Sequence, residues 1–140
     1  MTIKALHNPH GEIENYIAMF TDITQEREKS LHLKHLAEHD VLTNLPNKSL
    51  LQQEFNYALA TAKRQGTKIG LLFIDLNDFK PINDNYGHTY GDALLQALAS
   101  KMQSCIRETD MVSRIGGDEF AIIVTNIESI KACRILSSKL

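Results

Sequence analysis

The chain has 140 residues, 43% of them hydrophobic and 23% charged, with a net charge of −2; this is the composition of one water-soluble globular domain and excludes a disordered or membrane-spanning chain. So even a balance gives no broad attraction for nucleic acid or anionic lipid, and a polyanionic ligand has to be met locally by a metal ion, a few placed cations or backbone amides. Two cysteines, Cys105 and Cys133, do not make a disulfide framework, and as small hydrophobes at apolar helical positions they point to a reducing compartment; the expected location is cytoplasmic, with a membrane anchor upstream in a longer parent left open.

Residues 1–10 lack the apolar core of a signal peptide. Residues 1–21 read as strand, turn, strand: residues 7–11 (HNPHG) are a turn cluster, and Ile13, Tyr16, Ile17 and Phe20 suit a half-buried strand. Two strands alone do not make a stable unit in water, so the segment reads as the end of a larger domain. Asp22 or Thr24 can cap a helix running to about Glu38, with Glu26 and Glu28 at its positive end. Apart from Leu31, Leu33, Leu36 and Ala37 this helix is polar, as suits a connector. His32, His35 and His39 share a face, but no Cys or acidic residue completes a closed zinc site there.

Asn47 is the expected cap of a second helix, whose apolar face of Leu50, Leu51, Phe55, Ala58, Leu59 and Ala62 ends at Gly66. Residues 68–76 (KIGLLFIDL) predict a strand buried on both faces. The run from Ile69 to Ile74, broken by Gly70, is too short to cross a bilayer. Asp78 and Gly87 bracket a short helix, and a longer one follows from about Tyr90 to Ile106, with Leu94, Leu95, Leu98 and Met102 on its face. Two apolar runs, 111–115 and 120–124, flank a Gly-Gly turn, which is a hairpin signal. A last helix is expected from about Ser129 to the end.

Three acids stand out by position. Asp75 ends an apolar strand, while Asp118 and Glu119 lie at a hairpin tip. If the hairpin pairs beside that strand, the carboxylates converge on one sheet edge. Hard divalent cations such as Mg²⁺ (or Mn²⁺) take oxygen ligands of this kind, with water and substrate phosphates as the remainder. Gly116 and Gly117 permit a sharp turn and close approach of a phosphate to main-chain amides. Lys80 can add a positive charge to the same phosphates. The amide of Asn83 with the carboxylate of Asp92 can match the hydrogen-bonding edge of a guanine. Taken singly, the acids are equally well read as turn residues, Asn83 and Asp92 as helix caps, and Lys80 as a solvated charge.

Residues 116–120 (GGDEF) spell the signature of the GGDEF family, and they do not stand alone. Residues 40–48 (DVLTNLPNK) resemble the family's entry segment, residues 73–84 (FIDLNDFKPIND) its first strand and following turn, and Gly87-His88 with Gly91-Asp92 fall at its spacing. The resemblance covers residues 40–140 and implies an α/β (α+β) fold of the nucleotidyl-cyclase palm-like type. In it a central sheet with flanking helices carries the signature on a β-hairpin, and residues past Leu140 would complete the sheet. It implies a diguanylate cyclase that condenses two GTP into cyclic di-GMP, reacting as a homodimer with facing sites. By similarity Asp75, Asp118 and Glu119, with the Leu76 carbonyl, would hold the metal, and Asp118 or Glu119 would assist removal of the 3′-hydroxyl proton. Lys80, Gly116 and Gly117 would contact phosphate, while Asn83 and Asp92 would read guanine.

Arg107 and Asp110 resemble the family's RxxD site for inhibition by cyclic di-GMP; as an i,i+3 surface pair they would have no such role. Residues 12–24 resemble the close of a PAS-type sensor, giving a division into a sensor remnant (1–21), a signalling helix (22–39) and the front of the cyclase domain (40–140). Asn44, Lys48, Asn77 and Asp78 depart from the family's common residues without removing any metal or guanine position. The segment alone is expected to be inactive, because an incomplete sheet leaves an unpaired edge. The alternative function is a non-catalytic GTP-binding domain regulating an attached EAL-type phosphodiesterase. A polymerase-like palm lacks its basic surface here, so neither nucleic acid nor membrane is an expected partner of this segment.

Overall fold

The computed structural model describes residues 2–127; the helix expected from Ser129, and Cys133 with it, lie outside them. The chain divides into two compact units, residues 1–34 and 35–140.

In the first unit β1 (Thr2–His7) pairs antiparallel with β2 (Ile13–Met19). Asn8 organises the expected turn: its side-chain oxygen accepts from the N–H groups of His10 and Glu12, both at 3.0 Å, and Gly11 supplies the positive φ of 83°. Ile3, Tyr16, Ile17 and Met19 remain exposed, as a two-stranded ribbon dictates. Helix α1 (Thr24–Glu38) follows, with no buried residue. Asp22 accepts from Thr24 N at 2.9 Å, and bonds from the hydroxyl and N–H of Thr24 hold the Asp22 carboxyl below the usual carboxylate range.

The second unit is built on a three-stranded antiparallel sheet of order β3-β5-β4, with β3 at Lys68–Asp75, β4 at Met111–Gly116 and β5 at Glu119–Ile127. Among the described residues it also contains helices α2 (Lys48–Gln65), α3 (Phe79–Tyr86) and α4 (His88–Cys105). Because successive strand residues point to opposite faces, β5 serves two cores. Phe120, Ile122 and Val124 pack with Leu95, Ala99 and Met102 of α4, while Ala121 and Ile123 pack with Leu51 of α2. Asn47 caps α2 as its sequence position predicts, and Gly66 ends it in the left-handed conformation, φ 71°. Helix α4 starts two residues before the expected Tyr90. Among the described residues no helix is long and apolar enough to cross a membrane.

Strand β3 corrects the sequence reading. Among the described residues it pairs only with β5, antiparallel, and it is not buried on both faces. Leu72 and Ile74 reach the α4-side core, whereas Phe73 is 71% exposed and Leu71 37%. A continuous apolar run satisfies one buried face as readily as two, and the pattern alone does not separate them.

Candidate functional site

The signature turn takes its shape from the two-residue connection between β4 and β5. Gly116 pairs with Glu119, so Gly117 and Asp118 form the loop, and the positive φ of Gly117, 54°, is a conformation glycine adopts without steric penalty. On the other side of β5, Asp75 pairs directly with Glu119 and Ile74 with Phe120. Cross-strand partners share a face with Cβ atoms about 4.5–5.5 Å apart. Two exposed carboxylates are thereby set side by side at the sheet end where the turn lies. Like charges directly opposite each other are destabilising, so the pair calls for a cation.

Asp118 sits beyond them in the turn, half-buried, and Leu76 follows Asp75 directly. Among the described residues no three acidic, histidine or cysteine side chains are gathered closely enough to enclose a metal. Asp75 and Glu119 are therefore brought together, and Asp118 is adjacent without closing a cage. That arrangement fits Mg²⁺, which takes one or two carboxylates from a protein and completes its shell with water and phosphate oxygens.

Arg114, on β4, holds the turn in place. Its Nε and one terminal nitrogen donate to the Gly117 carbonyl at 3.0 and 2.6 Å, and the other donates to Asp40 Oδ1 at 2.9 Å. Asp40 also accepts from the N–H and hydroxyl of Thr43, at 2.9 and 2.7 Å. Partial burial works to raise the Asp40 pKa, but the bonds from Thr43 and Arg114, with the guanidinium charge, outweigh it and hold the carboxyl below its ordinary value. The Arg114 N–H donates to Pro46 O at 3.0 Å. The entry segment is thus laced to the strand carrying the signature. The sequence analysis does not single out Arg114; its signal is an arginine within a mostly apolar strand.

Asn47 joins two helices at once. Its Oδ1 accepts from Ser49 N and Leu50 N at 2.9 and 3.1 Å, capping α2. Its Nδ2 and backbone N–H donate to Ala37 O and Glu38 O, both at 2.8 Å, satisfying the last turn of α1. Next to it, His35 and His39 stack with centroids 4.0 Å apart, and His35 Nε2 meets Asn44 Oδ1 at 2.8 Å. Asn44 has φ 59°, a conformation asparagine tolerates better than most side chains.

Helices α3 and α4 meet at Gly87, whose N–H donates to Asn83 O at 2.9 Å. Asn83 lies half-buried near the end of α3, and Gly91 is buried on the first turns of α4 with exposed Asp92 beside it. The Asn83 side chain occupies the space a Cβ at position 91 would need: its Cγ would lie 3.0 Å from that atom, and its Oδ1 closer still. Asn83 is in this way packed against Gly91, the chain neighbour of Asp92. Lys80 is exposed on the first turn of α3.

Arg107 and Asp110 do not form a side-chain pair. Asp110 Oδ2 accepts from the Arg107 N–H at 3.3 Å and Oδ1 from Thr125 N at 3.0 Å, and Asp110 N donates to Arg107 O at 3.0 Å. This tight turn fixes the carboxylate and leaves Arg107 exposed. Among the described residues the Arg107 guanidinium enters no ion pair. An open cleft of about 490 Å³ has Asp75 and Glu119 on its wall, with Lys48, Phe55 and Phe73 among its other lining residues. Lys48 therefore reaches the same cleft as the carboxylates, which its place at the start of α2 did not foretell.

Residues 37–138 match the model of the diguanylate cyclase GGDEF domain. The chain is 39% identical over 141 aligned residues to the probable diguanylate cyclase DgcE of Escherichia coli, an alignment covering 98% of this chain and 13% of that protein. It is 37% identical to the diguanylate cyclase TpbB of Pseudomonas aeruginosa, over 84% of this chain and 26% of that one. The chain thus spans 13% and 26% of the length of these two relatives. Among solved structures, the coiled coil and GGDEF domain of DgcB from Caulobacter crescentus, in complex with c-di-GMP, superposes with a TM-score of 0.78 at 30% identity. That match covers 84% of this chain and 61% of the other.

Proposed function

This chain belongs to the GGDEF family of diguanylate cyclase domains, and from that premise we propose that it supplies the catalytic site at which two GTP molecules are joined into cyclic di-GMP with loss of two pyrophosphates. Its mixed α/β architecture is that of the family's palm-like fold. The observation that carries the reading is the pairing of Asp75 with Glu119 beside the two-residue turn.

When bound, Mg²⁺ or Mn²⁺ would offset the phosphate charge and polarise the phosphoryl oxygen. Asp75, the Leu76 carbonyl, Asp118 and Glu119 are the groups that would hold it. Asp118 or Glu119, acting as base, takes the 3′-hydroxyl proton of the attacking ribose. Amides of Gly116 and Gly117 approach the phosphates, with Lys80 adding charge. Asn83, near the end of α3, and Asp92, on the first turns of α4, read the guanine edge. Each site holds one GTP, so catalysis requires a homodimer, and α1 is the connector through which residues 1–21, the remnant of a PAS-type sensor, set how two such domains face each other. The exposed Arg107 and the fixed carboxylate of Asp110 suit a second, inhibitory site for cyclic di-GMP, in a cytoplasmic protein. The presence of all three carboxylates favours turnover over a purely regulatory, EAL-linked role.

The test is product formation by the full-length protein that carries this segment. Wild type makes cyclic di-GMP from GTP, and Asp118→Ala abolishes synthesis with an unchanged circular dichroism spectrum. Undiminished synthesis by the variant would remove Asp118 from the mechanism, and a wild type without product would refute the enzyme reading.

A further inference from the structure

Gly91 occupies a position where a glycine is needed for reasons other than backbone conformation. It lies within the helical run of α4 and carries none of the positive φ values found at Gly66, Gly87 or Gly117. A glycine inside a helix costs stability relative to alanine, so its presence has to be explained by what lies against it. A Cβ there would overlap Asn83 Oδ1 and would sit 3.0 Å from Asn83 Cγ and 3.2 Å from Phe79 Cζ. Phe79 is part of the α4-side core, so it cannot retreat without disturbing that packing. The backbone of Asn83 is itself tied, through its carbonyl, to the N–H of Gly87 at the joint between α3 and α4. Only the Asn83 amide is left to yield.

We infer that Gly91 is a positioning residue for nucleotide selection: by leaving room on the surface of α4, it sets the Asn83 amide at the angle from which it works with Asp92. This rests on the proposed reading of guanine by Asn83 and Asp92. Hydrogen bonds to a base edge discriminate strongly because a misaligned donor or acceptor leaves its buried partner unpaired. A methyl group at position 91 displaces the amide and lowers discrimination without touching the nucleotide.

The experiment is competition of GTP against ATP for the full chain in the presence of Mg²⁺, with circular dichroism as a check on the fold. Gly91→Ala is expected to fold, since alanine favours the helix, and to reduce the preference for GTP about tenfold. Asn83→Ala reduces it comparably, and the double variant shows no further loss, because the added methyl then meets no amide. Preservation of the wild-type preference in Gly91→Ala, or an additional tenfold loss in the double variant, would overturn the inference. A wild type that does not distinguish GTP from ATP would instead sink the guanine reading. In that event the side-chain amide resonances of Asn83 in the nucleotide-free protein still decide the positioning role: they shift in Gly91→Ala, and unshifted resonances exclude it.

Discussion

Replacing Arg114 with alanine removes every side-chain bond between the entry segment and the signature turn that runs through this guanidinium. The Arg114 side chain is 10% exposed and that of Asp40 24%, so the pair is neither solvent-screened nor sealed. A hydrogen bond between charged groups contributes about 1.5–3 kcal/mol. Gly117 is exposed, so water replaces the arginine at its carbonyl and the loss there is about 0.5–1 kcal/mol. Asp40 keeps its two bonds from Thr43, which spares it the penalty of a fully stranded charge. The expected destabilisation is therefore about 2–4 kcal/mol, above the ~1 kcal/mol ceiling of an exposed pair and near the low end for a buried one. Urea unfolding at pH 7 measures it as a fall in the midpoint at constant m. Arg114→Lys keeps the charge but not the fork, and recovers less than half of the loss. In a cycle with Asp40→Asn the coupling energy should reach about 1.5 kcal/mol. A loss below about 1 kcal/mol with no coupling would refute the reasoning and leave Arg114 an ordinary surface charge.

Asn47 should respond in two grades: Asn47→Ala loses both the cap of α2 and the tie to α1, costing about 2 kcal/mol in urea unfolding, while Asn47→Asp keeps the capping oxygen and loses about half as much. No loss in Asn47→Asp would show that the bond to Ala37 contributes nothing. Ser113 is fully buried on β4 with its hydroxyl unpartnered among the described residues, so Ser113→Ala should be neutral or stabilising by about 1 kcal/mol; a melting temperature lowered by several degrees would contradict this. Because the folded pKa of Asp40 is depressed, its contribution is present above the unfolded value of about 3.9 and is lost as pH falls through the folded one. The stability gap between wild type and Asp40→Asn should hold from pH 7 to about 5 and narrow below about 4 as the pH falls through the folded value, and a gap that does not narrow on acidification would exclude the ionised carboxylate as its source.

Much of this was written in local chemistry. Asn47 and Gly66 mark the ends of α2 because a cap needs a side-chain acceptor and a left-handed exit needs no Cβ, and both are legible one residue at a time. The Gly-Gly turn between two apolar runs specified its hairpin for the same reason, and four spaced motifs named the family. Residues 68–75 form the expected strand, but their burial is not legible in the sequence, since an apolar run does not say whether a second layer covers it. Arg114 was passed over because its partners, Asp40 and the Gly117 carbonyl, come from elements that sequence order does not bring side by side.

Within residues 2–127 the sequence by itself determined which segments form helices, strands and turns, because those preferences are set by neighbours a few residues away. Tertiary structure alone decided that Asp75 faces Glu119 while Asp118 stands apart in the turn, that Asn83 lies against Gly91, and that one arginine spans Asp40 and the signature. Register and helix crossing are cooperative outcomes of burying apolar surface over the whole unit, and a contact between residues 74 positions apart, as between Asp40 and Arg114, leaves no local trace in the chain.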